Sequence, residues 1–298
     1  MKRRNFIIHT TLSAAAMAGL PYLSLAKPRK DKMDRIGLTT VVFRNRFAST
    51  KPKNQVLEDE LTLLSTPEYF VDRFKVHNVE MWTPHFESTS KNYLKELKRS
   101  LKKERCKLIN LQSEGKFDPS DPLEENRLKA VIEVKNWVDV AKSLQCEAVR
   151  VKSMKKSYSK AVLSLNEITK YAKAKGITIL IENHSDLFSD YKNHTNIIKD
   201  VPLNNIGLLA DFGNYSSNPV MFDSLKHIAP FTRLVSAKTK DFSNQMEHIP
   251  YDFQKCIGIF EASGYQGIYS CEQWGKANPN YDYEKITDWM IDNIKESI

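Results

Sequence analysis

The feature that most constrains this chain is an alternation. Short apolar runs are separated by longer segments whose apolar residues recur at helical spacing, and the pair repeats eight times. The expected strands cover residues 36–43, 79–82, 107–112, 147–151, 177–181, 206–210, 233–237 and 267–271. The first expected helix opens at Thr66-Pro67-Glu68, a good cap and first-turn pair. Others cover about 90–104, 122–144, 159–175, 191–199, 219–228 and 251–263, and a last one begins near Tyr283. Gly176 and Gly264 stop the helices that precede them. Strand then helix, repeated, implies a parallel sheet. Eight such units in 298 residues favour closure into a single-domain (β/α)8 barrel over an open doubly wound sheet. No glycine-rich loop follows the first strand, so a dinucleotide-binding fold has no support.

The N-terminus reads differently. Residues 1–26 have a basic start, a modest apolar stretch and the small-residue end Ser24-Leu25-Ala26, which predicts a cleaved signal peptide. Arg3-Arg4 followed by Asn5-Phe6-Ile7 resembles a twin-arginine signal; an ordinary secretory signal or a lone anchor is the alternative. No cysteine follows the expected cleavage point, which argues against a lipoprotein. The expectation is a periplasmic protein with no stable membrane insertion after cleavage. Residues 27–34 read as a basic tether and 35–298 as the barrel.

The formal net charge is +9, with Lys2, Arg3 and Arg4 inside the leader and more of the excess in the tether. No basic stripe with interleaved aromatics stands out, so nucleic acid is not an expected partner. The four cysteines, Cys106, Cys146, Cys256 and Cys271, form no CxxC pair and read as buried thiols. Cys106 and Cys146 each precede an expected strand, which leaves a disulfide between them open. A homo-oligomer is also left open.

Three acidic residues stand at the C-terminal tips of apolar runs: Glu182 in ITILIENHSD, Asp211 in NIGLLADFGN and Glu272 in GIYSCEQWG. A strand core has no use for a terminal carboxylate, whereas the C-terminal mouth of a barrel is where chemistry is placed. Carboxylates from neighbouring strand ends suit a shared divalent cation, with Mn, Mg, Co and Zn not distinguished. Side chains alternate along a strand, so parity groups Ser270, Glu272 and Trp274; Leu180, Glu182 and His184; Ser236 and Lys238; Arg150 and Lys152; Glu80 and Trp82. It also groups Asn110, Gln112 and Glu114 on one face, opposite Ile109 and Leu111. Singly, each has a bland reading: Glu80 or Lys152 as a solvated strand end, Trp82 and Trp274 as packing, His184 as a hydrogen-bonded scaffold histidine. Together they suggest a pocket with aromatic walls suited to sugar rings.

These residues resemble the xylose isomerase-like TIM-barrel superfamily, in its sugar phosphate isomerase/epimerase branch. The resemblance rests on Ile181-Glu-Asn-His-Ser-Asp, Ala210-Asp-Phe-Gly-Asn214, Ser236-Ala-Lys238 and Gly264-Tyr-Gln-Gly267 leading to Glu272. It implies metal ligation by Glu182, Asp211 and Glu272. Where many relatives have His-Ala-Lys this chain has Ser236-Ala237-Lys238, which resembles an exported subgroup and removes the expected histidine ligand. Three carboxylates plus water, a nitrogen from His184, or a weak or absent metal are the alternatives.

The implied chemistry is proton transfer beside a carbonyl through an enediolate, isomerising or epimerising a keto-sugar. Glu182 and Glu272 are the expected acid/base pair, and Lys238 the group that steadies the developing oxyanion. His184, Asn214, Arg150, Lys152, Glu80, Trp82, Trp274 and Gln112 are the expected substrate contacts. A lyase or hydratase acting on 3-keto-glycosides would share the intermediate. A catalytically silent sugar-binding barrel is the alternative of another class. The few histidines near the mouth, His85 and His184, do not form the histidine-rich cluster of endonuclease relatives.

Overall fold

The computed structural model describes residues 31–53, 56–155, 157–275 and 281–298, the side chains of 185 and 186 aside. The predicted signal peptide, 1–26, and residues 27–30 of the tether lie outside the described residues. At the end of the tether, Lys32–Arg35 forms a 3-10 turn capped by the Asp31 side chain.

Eight parallel strands close a barrel in sequence order. They are β1 (Ile36–Thr39), β2 (Asn78–Trp82), β3 (Lys107–Gln112), β4 (Ala148–Val151), β5 (Thr178–Glu182), β6 (Ile206–Asp211), β7 (Thr232–Thr239) and β8 (Ile268–Gln273). Closure is the pairing of β1 with β8, Ile36 opposite Tyr269 through Leu38 opposite Cys271. The α-helices are α1 (Thr66–Phe74), α2 (Lys91–Lys103), α3 (Glu124–Leu144), α4 (Tyr158–Lys173), α5 (Ser185–Phe188), α6 (Tyr191–Asp200), α7 (Asn218–Ile228), α8 (Phe253–Ala262) and α9 (Tyr283–Ser297). The strands are largely buried on both faces, and β5 and β6 read as nearly continuous apolar runs, as parallel strands do, up to the carboxylates at their tips.

Two apolar regions result. The larger lies between strands and helices and includes Leu111, Val149, Ile181, Ala210, Val235 and Cys271. The smaller fills the barrel interior with Ile109, Ala148, Leu180, Leu209, Leu234 and Ile268, the layered packing that makes such a barrel a core rather than a pore. β1 contributes Gly37 near this layer: a Cβ there would meet Ile268 Cγ2 at 3.0 Å and Ile109 Cδ1 at 3.1 Å.

Several sequence expectations need correction. The first strand ends at Thr39 rather than Phe43, because the Thr39 hydroxyl accepts from the Val41 N–H and opens a 3-10 segment, Thr40–Arg46. Val42 and Phe43 still enter the core from that segment. The expected Thr66 cap falls one residue late, with Ser65 at the cap position and Thr66 as the first helical residue. Ile109 lies in the barrel interior instead of facing the helices with Leu111. The β2–β3 register slips between Val79, opposite Leu108, and Glu80, opposite Asn110, which is a bulge that re-aims Ile109. All four cysteines are free, with Cys146 Sγ turned to the Ala148 carbonyl rather than to Cys106. Among the described residues no helix is long and apolar enough to cross a membrane.

Candidate active site

Parallel strands deliver all their C-terminal residues to one end, so Glu182, Asp211, Lys238 and Glu272 meet there although spread over 91 positions of sequence (182 to 272, both included). Lys238 and Glu272 are register partners across β7 and β8, as Asp211 and Ser236 are across β6 and β7. A second bulge lies in the β6–β7 pairing. Leu208 opposes Thr232 but Leu209 opposes Leu234, which leaves Arg233 as the extra residue and keeps Leu234, Ser236 and Lys238 in phase toward the axis.

At the centre lies the Lys238 ammonium. Its Nζ donates to Asp211 Oδ2 at 3.0 Å and to Asn214 Oδ1 at 3.3 Å, and pairs with Glu272 Oε1 at 3.2 Å. Glu272 Oε2 accepts from Gln112 Nε2 at 2.9 Å and from the Ser236 hydroxyl at 3.2 Å. Asp211 Oδ1 accepts from the Gly213 N–H at 2.6 Å, and Asn183 braces the Asp211 backbone through both its amide atoms. Glu182 pairs with Arg150, Nε to Oε2 at 3.3 Å, and its Oε1 accepts from Asn214 Nδ2 at 3.3 Å. His184 Nδ1 lies 3.6 Å from Glu182 Oε2. Asn214 thus bridges the Glu182 half of the site to the Lys238 half.

Burial makes these charges consequential. Glu182, Asp211, Lys238, Arg150 and Glu272 are all buried. Burial alone would raise Glu182, but the Arg150 guanidinium overcomes it and holds the carboxyl well below the ordinary range. Asp211 goes the other way: burial, reinforced by Glu272 and Glu182, pushes it up despite Lys238. Burial would lower Lys238, yet Asp211 and Glu272 raise it, so the ammonium stays charged. Burial also pushes Glu80 up to about 7, with Glu272 adding to the rise.

The expected substrate contacts separate into three groups. Asn214, His184, Arg150 and Gln112 join the carboxylate cluster directly. Trp82 and Trp274 form a wall, edge to face with ring centroids 5.6 Å apart. Trp274 is partly exposed, and the Arg44 guanidinium lies 4.6 Å over its ring. The other two depart from expectation. Lys152 turns to Glu114, away from the carboxylate trio. Glu80 is fully enclosed with Asn110, which donates to its Oε1 at 2.7 Å, so it belongs to the floor of the barrel. Sequence reading missed Arg44, which lies on the 3-10 segment just past the expected end of the first strand, and Asn183, whose role depends on reaching across to β6.

Whether the trio fits a divalent cation is decided by Lys238. The oxygen donors suit a hard cation, but the ammonium already lies among them, and Arg150 is paired to Glu182. A divalent charge about 4 Å from that ammonium costs roughly 8 kcal/mol at an effective dielectric of about 20, before any relaxation. Among the described residues no group of three or more His, Cys, Asp or Glu side chains is disposed to hold a metal. In this arrangement the residues do not fit a resident divalent ion. The strand-seven side chain that reaches both Asp211 and Glu272 is Lys238, whereas Ser236, the position matched to the family histidine, touches Glu272 alone among the three.

Comparison with known proteins places this site in context. No curated protein matches the chain. Among solved structures, an L-ribulose 3-epimerase is 15% identical over 88% of this chain and 95% of its own, with a TM-score of 0.68. A 3-keto-D-glucoside 4-epimerase from E. coli is 13% identical over 86% and 98%, with a TM-score of 0.63. A xylose isomerase-like barrel from Mycobacterium smegmatis in complex with magnesium is 14% identical over 88% and 97%, with a TM-score of 0.60. At these identities the likeness establishes the fold. Residues 72–293 match the family model described as Xylose isomerase-like TIM barrel, and the chain belongs to that family.

Proposed function

We propose that this barrel is a sugar isomerase or epimerase that moves a proton beside the carbonyl of a keto-sugar. The observation that carries the reading is the meeting of Glu182 and Glu272 in one buried cluster, Glu182 paired with Arg150 and Glu272 with Lys238, with Asn214 joining the two halves. They come from strands three places apart in the ring and approach the axis from different directions. Two carboxylates so placed can remove the proton beside the carbonyl from one face of a keto-sugar and deliver a proton to the opposite face of the planar enediolate that results. Glu182 Oε2 is buried beside Arg150 Nε and His184 Nδ1 but accepts no aligned hydrogen bond among the described residues, so it is the oxygen with acceptor capacity left for a substrate proton. The Trp82–Trp274 wall offers apolar faces to a sugar ring. Solved neighbours that carry the names 3-keto-D-glucoside 4-epimerase, L-ribulose 3-epimerase and D-psicose 3-epimerase support a keto-sugar substrate. The leader-like residues 1–26 support an exported enzyme that meets unphosphorylated sugars.

The test is incubation of the purified protein with free ketoses and 3-keto-glycosides in D2O. Deuterium gained at the carbon beside the carbonyl, with a new epimer and no loss of aglycone, is the expected result. Release of the aglycone would instead assign elimination from the same intermediate. No exchange with any sugar, by a protein that still binds sugars, would replace the enzyme reading with a binding barrel.

A further inference from the structure

We propose that the Lys238 ammonium occupies the position of a divalent cation, so that Asp211 and Glu272 are organised around a covalently attached charge, Glu182 is paired with Arg150 instead, and the protein takes up no metal. The geometry points to this in three ways. First, the ammonium donates to Asp211 and Asn214 at 3.0 and 3.3 Å and is ion-paired with Glu272 at 3.2 Å, so the group is a hub rather than a passing side chain. Second, the fold makes room for it. A Cβ at Gly213 would lie 2.7 Å from Lys238 Cδ, so the absent side chain at the turn after β6 is the space through which the lysine stem passes. Third, the backbone carbonyl of Lys238 accepts from the buried Tyr251 hydroxyl, which holds β7 at the residue that carries the charge.

The consequence reaches the chemistry. A lysine hub delivers one positive charge and directional N–H bonds, whereas a metal delivers two charges and several open coordination positions. Asn214 makes the longest of the three contacts and is the least buried of the partners, so it is the contact a substrate oxygen displaces. That displacement rests on the keto-sugar reading; the exclusion of metal does not.

The experiment therefore uses no substrate. Wild-type protein is dialysed with Mn2+, Mg2+ and Zn2+ in turn, assayed for bound metal, and titrated calorimetrically, beside Lys238→His and Lys238→Met. The expected result is no stoichiometric metal in the wild type and no change of its melting temperature with either Mn2+ or EDTA. Lys238→His, which removes the ammonium and adds a nitrogen donor, is expected to take about one equivalent of Mn2+ or Zn2+, with binding at least roughly 100-fold tighter than wild type and a melting temperature that rises with the ion. One equivalent of metal in the wild type overturns the proposal, with no variant needed. A folded Lys238→His and Lys238→Met that both stay metal-free overturn it as well, because the lysine would then not be what keeps the ion out. Failure of the epimerase assay leaves these readouts unaffected.

Discussion

At the scale of single residues, burial and charge pairing assign different tasks to chemically similar groups. Glu182 is held ionised by Arg150, whereas Glu272 is paired with Lys238 and accepts from Gln112 and Ser236. Glu182→Gln and Glu272→Gln are each expected to lower kcat by about 10²–10⁴ while leaving the far-UV spectrum unchanged, as loss of a positioned acid or base does. Retained exchange activity in either variant would remove that glutamate from the acid/base pair. Glu80 has the opposite character. Its Oε2 has no hydrogen-bond partner among the described residues, and burial raises it from the ordinary 4.5 to about 7. A raised acid binds its proton more tightly in the folded state, so its contribution is complete below pH 4.5 and is lost as pH rises through about 7. That window is worth up to roughly 3 kcal/mol. Glu80→Gln should therefore gain stability relative to wild type between pH 5 and pH 8, read as diverging denaturant midpoints. Parallel midpoints at the two pH values would show that Glu80 is already ionised in the fold.

At the scale of elements, the site depends on strands whose register is adjusted by bulges. Parity along the sequence correctly groups Glu182 with Leu180 and Glu272 with Ser270, because those strands are regular. It fails for Ile109, where one extra residue in β3 breaks the period of two. It also fails to show that β1 stops at Thr39, since the following residues are apolar and only the Thr39 hydroxyl turns the chain. The interior layer carries its own test. Gly37 lies between Ile109 and Ile268, so Gly37→Leu is expected to overpack the barrel floor and to cost about 1–3 kcal/mol in chemical denaturation. A neutral result would mean that the floor has slack its close contacts do not suggest.

For the whole molecule, closure joins the first strand to the last, and Arg35 reinforces that seam. Its guanidinium is bonded at 2.6 and 3.0 Å to the two carboxylate oxygens of Glu261 on α8, and it also donates to the carbonyls of Tyr265 and Gly267 just before β8. Arg35→Met is expected to cost about 2–4 kcal/mol and to lower the melting temperature, because it leaves Glu261 with the Tyr269 hydroxyl but no cation and removes the donor to two carbonyls. An unchanged melting temperature would mean that the β1–β8 ladder alone closes the ring. The sequence by itself determined the eight-fold alternation, the single closed barrel and the placement of acidic residues at strand tips, because hydrophobic periodicity and strand parity are local properties of the chain. Only the tertiary structure decided what those acids surround. The Lys238 hub, the Arg150 pairing and the enclosure of Glu80 arise between residues tens of positions apart in the sequence. Whether a buried carboxylate meets a cation, an amide or nothing is fixed by three-dimensional distance, which no local pattern encodes.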